Sequence, residues 1–186
     1  MRWVVLALVL LSVVWVTWAY NLLVSLRHRI QNAWKQIDVQ LKRRHDLIPN
    51  LVESVKGYMK FEQETLQKVM EARSKAVSST GVKATAEAEN LLTQSLGRIF
   101  ALMENYPELK ANENVLRLQE ELTTTENQIA FARQYYNDLV MRFNMRQEVF
   151  PSSLVAQFFN FKPSEFFSAP EAEKATPRVD LSLPHS

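Results

Sequence analysis

Three histidines, His28, His45 and His185, are the only imidazoles in the 186 residues, and there is no cysteine. Thiolate nucleophiles, thiolate metal sites and disulfides are therefore excluded. No His-Glu-x-x-His spacing occurs, so the zinc-protease arrangement of two imidazoles on one helix face is absent. Gly57, Gly81 and Gly97 stand too far apart to cradle a phosphate or a dinucleotide. His45 beside Asp46 is the one acid-base neighbourhood. Adjacent residues on a helix diverge by about 100°, so adjacency does not make a proton-relay pair. These residues predict no catalytic site, no metal site and no cofactor.

Next to His45 lies a basic run, Lys42-Arg43-Arg44. Such a run normally marks a solvated helix face. Arg44, however, follows Leu41 by three and precedes Ile48 by four, which puts it on an apolar stripe. A charge there requires a partner, because an unpaired buried ion is strongly unfavourable. Glu120, Glu121, Glu126 or Asp138 could supply it and fix helix register; anionic lipid or an acidic protein is the alternative.

The stripe belongs to the stretch Asn32 to Tyr58. Ile30, Trp34, Ile37, Leu41, Ile48, Leu51, Val55 and Met59 step by three, four or seven, the spacing of one face of an α-helix. Continued through Leu66, Val69, Met70 and Arg73, the pattern predicts a helix from about Tyr20 to Ala76. Pro49 interrupts it, since proline removes a hydrogen bond and crowds the preceding turn. The apolar phase survives from Leu41 to Leu51, which favours a kinked continuous helix over a stop near His45 and a restart at Asp46.

Upstream, Trp3 to Leu26 carries no charge. Roughly 20 apolar residues in a helix cross a bilayer core, so this segment is long enough to span. Trp3 at one end and Trp15, Trp18 and Tyr20 at the other suit the two interfaces. A cleaved signal peptide is the competing reading, but the apolar stretch is too long and the cleavage region too crowded by tryptophan. Arg27, Arg29, Lys35 and Lys42 to Arg44 follow the span and only Arg2 precedes it, which predicts an outside N-terminus and a cytoplasmic helical domain.

Three glycines and seven prolines leave little for a turn-rich β fold, and the rest is dominated by helix formers. Ser78 to Val82 reads as a connector, with Gly81 as a helix C-cap. A second helix is expected over Ala84 to Asn105, ended by Pro107. A third begins at Asn112 with Val115, Leu118, Leu122, Thr125, Ile129, Ala132, Tyr136, Leu139 and Phe143 as its seam. A short helix follows, Leu154 to Asn160. Phe150, Phe158, Phe159, Phe161, Phe166 and Phe167 crowd this region, either as a plug for the bundle or as an exposed docking patch. From Ala169, scattered prolines and charges predict a flexible tail.

At ~1.5 Å per residue the second helix is about 33 Å long, the third about 50 Å and the first up to ~85 Å. The later helices then cover only part of the first. An uncovered stripe at Ile30, Trp34, Ile37 and Leu41 calls for a second protomer, a partner helix or the fourth helical segment, and self-association is the expectation carried forward. A formal charge of +2 argues against a nucleic-acid partner.

Tyr20 to Val24, Ala33-Trp34 and Ile37 to Val52 strongly resemble the LemA family of bacterial membrane-anchored proteins. Glu71-Ala72-Arg73, Tyr106 to Leu109, Glu121-Leu122, Glu126 to Ile129, Ala132-Arg133, Tyr135 to Asn137 and Phe150-Pro151 extend the resemblance over most of the chain. Asn160-Phe161 departs from the Gly-Phe often found before the family's Lys-Pro. The resemblance implies an all-α protein of the bacterial inner membrane: an anchor over residues 1–26, an antiparallel up-and-down four-helix bundle over 27–167 and a tail over 168–186. It implies no reaction. Membrane proteins, proteases among them, are the partners it suggests.

Overall fold

A computed structural model of the chain describes residues 1–167, within which there are six helices and no strand. Helix α1 spans Arg2–Lys56, α2 Gln63–Ser78, α3 Val82–Met103, α4 Pro107–Lys110, α5 Glu113–Glu148 and α6 Ser152–Phe158. The expected all-α class is observed. The expected tail, 168–186, lies outside the described residues.

Helices α1, α2, α3 and α5 run alternately down and up, and α4 is a single turn started by Pro107. The distal half of the bundle holds all four helices around Ile48, Leu51, Val55, Leu66, Val69, Leu92, Ile99, Val115 and Leu122. In the other half α1 and α5 continue, packed along Leu23, Ile30, Ala33, Ile37, Leu41, Ile129, Tyr136, Leu139 and Phe143, with Ala86 at the start of α3 and Val155 and Ala156 of α6 against them. Asn112 caps α5 as expected, its Oδ1 accepting from the amides of Asn114 and Val115 at 3.0 and 3.3 Å.

Two sequence expectations are corrected. Helix α1 stops at Lys56 rather than near Ala76; the chain reverses between Gly57 and Glu62 and α2 folds back on α1. Met59 and Leu66 keep the apolar phase because a seven-residue step fits a continued helix and a hairpin alike. Periodicity therefore misses the reversal. Gly81, expected as a C-cap, instead precedes α3 at φ 86°, a left-handed conformation that glycine adopts without a Cβ penalty.

The stripe expected to lack an intrachain partner has one. Buried positions of α1 run from Ala19 to Val55, about 54 Å of axis at ~1.5 Å per residue. The 36 residues of α5 give about the same length, so α5 lines α1 almost end to end. Ile30, Ile37 and Leu41 are 6, 0 and 4 % exposed, and Trp34 packs its ring 5.6 Å from Tyr136. The length estimate fails because it sets the later helices against a first helix running on to Ala76; α1 ends at Lys56, and α5 continues past Phe143 to Glu148.

After a turn at Phe159 and Asn160, residues 161–167 lie along the α1–α5 pair as an extended strap. Asn144 Oδ1 accepts from the Ser164 amide and its Nδ2 donates to the Ser164 carbonyl (2.9 and 3.0 Å). Asn137 makes the same pair of bonds with Phe167 (2.8 and 3.0 Å). Seven helical residues advance about 10.5 Å and three extended residues about 10 Å, so the two asparagines meet the strap in step.

Pro49 sits inside α1, which continues through it. Proline has no N–H, so the carbonyl of His45 loses its helical donor. Arg73 of α2 replaces it, its Nε donating to His45 O at 2.6 Å. A charged donor to a carbonyl contributes about 1.5–3 kcal/mol. Arg73→Met should therefore destabilise the protein by about that amount. In a Pro49→Ala background, where the new backbone N–H restores the helical donor, the same change should cost under about half as much. A denaturant double-mutant cycle on the detergent-solubilised chain measures this coupling; additive effects would refute the link.

Candidate functional site

One layer of the bundle holds nearly all of its buried charge. Arg44 reaches inward from the α1 stripe, fully buried, and its guanidinium donates to Glu89 of α3, to Glu126 of α5 and, at 3.0 Å, to Thr93 Oγ1. Glu89 is also fully buried. His45 Nε2 lies 2.6 Å from Glu89 Oε1. Two carboxylates around one guanidinium and one imidazole satisfy the ion pairing that the interior demands.

Arg44 is thus a bundle residue, not a lipid contact, and Glu126 is the one partner among those expected that reaches it. Glu121 instead lies 3.7 Å from Arg43 on the exposed surface. Glu89 is absent from the expected partners, although its position is informative. Thr85, Glu89, Leu92, Leu96, Ile99 and Met103 step by three or four along the buried face of α3. A charge on that seam is the complement of Arg44 on the seam of α1.

Burial lowers the proton affinity of Arg44, opposed by Glu126 and reinforced by Arg133. Desolvation, then the charges of Arg44 and Arg73, pushes His45 down from 6.5 to about 4, with Asp46 acting weakly the other way. A neutral imidazole is therefore the resident form at neutral pH, and Nε2–H donates to Glu89. The cleft beside Arg44, lined by Leu96, Gly97, Phe100 and Leu122, holds about 220 Å³, below the ~300 Å³ lower bound of typical ligand pockets. Among the described residues no group of three His, Asp or Glu side chains could hold a metal.

Two apolar surfaces lie outside this layer. Val39, Phe131 and Tyr135 are 64, 73 and 50 % exposed along a groove between α1 and α5, whose walls include Gln36, Gln40 and Gln128. The phenylalanines of the C-terminal region divide between plug and patch. Phe167 is buried, 5.9 Å from Trp34 and under the Arg133 guanidinium, and Phe161 packs on Tyr20 and Phe143. Phe150 and Phe158 are exposed, Phe159 and Phe166 about half so.

A family model for LemA matches residues 33–181. The chain belongs to the LemA family. Its relatives include Protein LemA of Metamycoplasma hominis, 32 % identical over 87 % of this chain and 72 % of that protein. Magnetosome protein MamQ 2 of Paramagnetospirillum magneticum is 23 % identical over 80 % of this chain and 64 % of its own length. Magnetosome protein MamQ of Magnetospirillum gryphiswaldense is 23 % identical over 90 % and 73 %. Family membership agrees with a membrane-associated helical protein, and α1 contains a stretch long and apolar enough to cross a bilayer.

Two outcomes test the ionic layer. Arg44→Met strands Glu89 in the interior and should cost about 3–5 kcal/mol, whereas pairing it with Glu89→Leu should restore most of the loss, read by chemical denaturation. Because the folded chain holds His45 near 4 against 6.5 when unfolded, the unfolded state binds the extra proton between those values. That contribution to stability is complete above the higher value and is lost as pH falls through the lower. Melting temperatures across this range should fall less for His45→Gln than for the parent.

Proposed function

We propose that this LemA-family protein is a single-pass scaffold of the bacterial inner membrane, N-terminus outside and bundle in the cytoplasm, that assembles through its helical domain and performs no reaction of its own. The observation that carries this reading is the unbroken helix α1, Arg2–Lys56, which places the apolar span and the spine of the bundle on one rod. No flexible joint separates anchor from bundle, so copies in one membrane stand side by side with matching orientation. The groups that could do chemistry, Arg44, His45 and Glu89, are enclosed and engaged with one another.

Self-association then proceeds through the groove of Val39, Phe131 and Tyr135, with a second copy as its occupant. The groove runs along the α1–α5 pair, and parallel anchored copies present it at the same height. Gln36, Gln40 and Gln128 carry both donor and acceptor, which suits a two-fold contact between like surfaces. Gln40 Oε1 is buried at this groove without a hydrogen-bond donor among the described residues. We extend the proposal to a role in envelope stress or membrane protein quality control, with membrane proteins, proteases among them, as the partners that the family resemblance suggests.

A photoreactive residue at Phe131 tests the interface in cells. Cross-linked dimer at Phe131, and none from the enclosed Ile37, is the expected result. Cross-links at Phe131 to other proteins alone would instead make the groove a receptor for partner helices.

A further inference from the structure

The region after α5 is uncharged from Val149 to Phe161. Within it α6 turns Val155 and Ala156 inward, into the cluster that contains Ala19 and Leu23 of α1 and against which Trp15 packs. Its other side is apolar and uncovered: Leu154 and Phe158, four residues apart on one helical face, are 57 and 84 % exposed, and Phe150 just before the helix is 75 % exposed. Met145 and Val149 extend this surface onto the end of α5. So much exposed aromatic and aliphatic surface in a short uncharged segment is unfavourable in water.

The height of α6 along α1 identifies what covers it. The Tyr20 ring lies 4.7 Å from Phe159 and 5.8 Å from Phe161. A hydrocarbon core of ~30 Å takes up about 20 helical residues, which from Trp3 reaches Leu22. The last turns of the span therefore lie level with α6, and Val14 and Trp18 of α1 are exposed at the same level. Charges flank this surface: Arg27, over the Phe161 ring at 5.5 Å, and the exposed Arg142, Arg146 and Lys162, with Glu148 an exposed acid at the end of α5. Apolar side chains flanked mainly by cations match the acyl and phosphate layers of an interface.

We infer that α6 is a second membrane contact, an interfacial helix that sinks Phe150, Leu154 and Phe158 into the cytoplasmic-side headgroup and acyl boundary beside the α1 span. This inference rests on the anchored reading above and deepens it. A rod held at one point can tilt; a rod with a lateral foot is fixed upright and in rotation, so the α1–α5 groove keeps a constant bearing in the membrane plane.

The chain has no cysteine, so single cysteines carry spin labels without interference. Full-length Val9→Cys, Leu154→Cys, Phe158→Cys and Phe61→Cys, each labelled and reconstituted in phosphatidylglycerol–phosphatidylethanolamine vesicles, report collision with oxygen against a water-soluble nickel chelate. Position 9 lies inside the span, and position 61, 96 % exposed, at the distal turn. Oxygen-to-nickel ratios at 154 and 158 several-fold above that at 61 are expected. A lipid-like ratio at 9 with water-like ratios at 154 and 158 overturns the interfacial helix and leaves the anchor intact. A water-like ratio at 9 overturns the anchor itself. Labels at 154 and 158 shielded from both reagents overturn the lipid contact in favour of protein at this face.

Discussion

A single helix has to satisfy two solvents. The first turns of α1 expose Val4, Val5, Leu6, Leu8 and Val9 on every side, as lipid requires, while from Ala19 onward the same helix buries one stripe and leaves all its charges but Arg44 on the other faces. Everything else in the molecule is arranged along that rod. Helix α5 matches the length of its buried stripe, α2 and α3 complete a four-helix section only at the distal end, and α6 with the strap covers the part that two helices alone would leave open.

Continuity of the rod requires the proline to be accommodated. Pro49 deprives His45 O of a donor, and the adjacent residue Arg44 brings a full charge into the core. Both problems are solved from neighbouring helices within two turns of each other: Arg73 of α2 supplies the donor, while Glu89 of α3 and Glu126 of α5 supply the counter-charges. Helices α2, α3 and α5 thus each send polar partners to the same short stretch, α3 supplying both Glu89 and Thr93. A sliding helix would break an ion pair in a dry interior, whereas leucine seams tolerate such slips, so this layer is suited to setting register.

The strap shows the same economy with neutral groups. Asparagine amides on α5 pair with both the N–H and the C=O of an extended segment that has no β partner. Backbone groups that would otherwise be covered without bonds are satisfied, the Tyr136 hydroxyl donates to the Glu165 carbonyl, and Phe161 and Phe167 pack on Tyr20 and Trp34.

Helix type, the apolar span and the seams of α1 and α5 were legible in the sequence, because each is a local property of spacing and composition. Arg44 announced itself by standing on a stripe where a cation needs a partner. Tertiary structure decided the rest. The reversal after Lys56 was hidden because seven residues preserve the phase across a turn. The choice of Glu89 over Glu120 depended on which helix faces which, and the coverage of Ile30, Trp34, Ile37 and Leu41 on where α5, α6 and the strap come to rest. The phenylalanines after Val149 separated into buried and exposed sets only once α6 had two sides, one against α1 and one facing outward. Spacing along the chain specifies which residues share a face; only packing determines what that face meets.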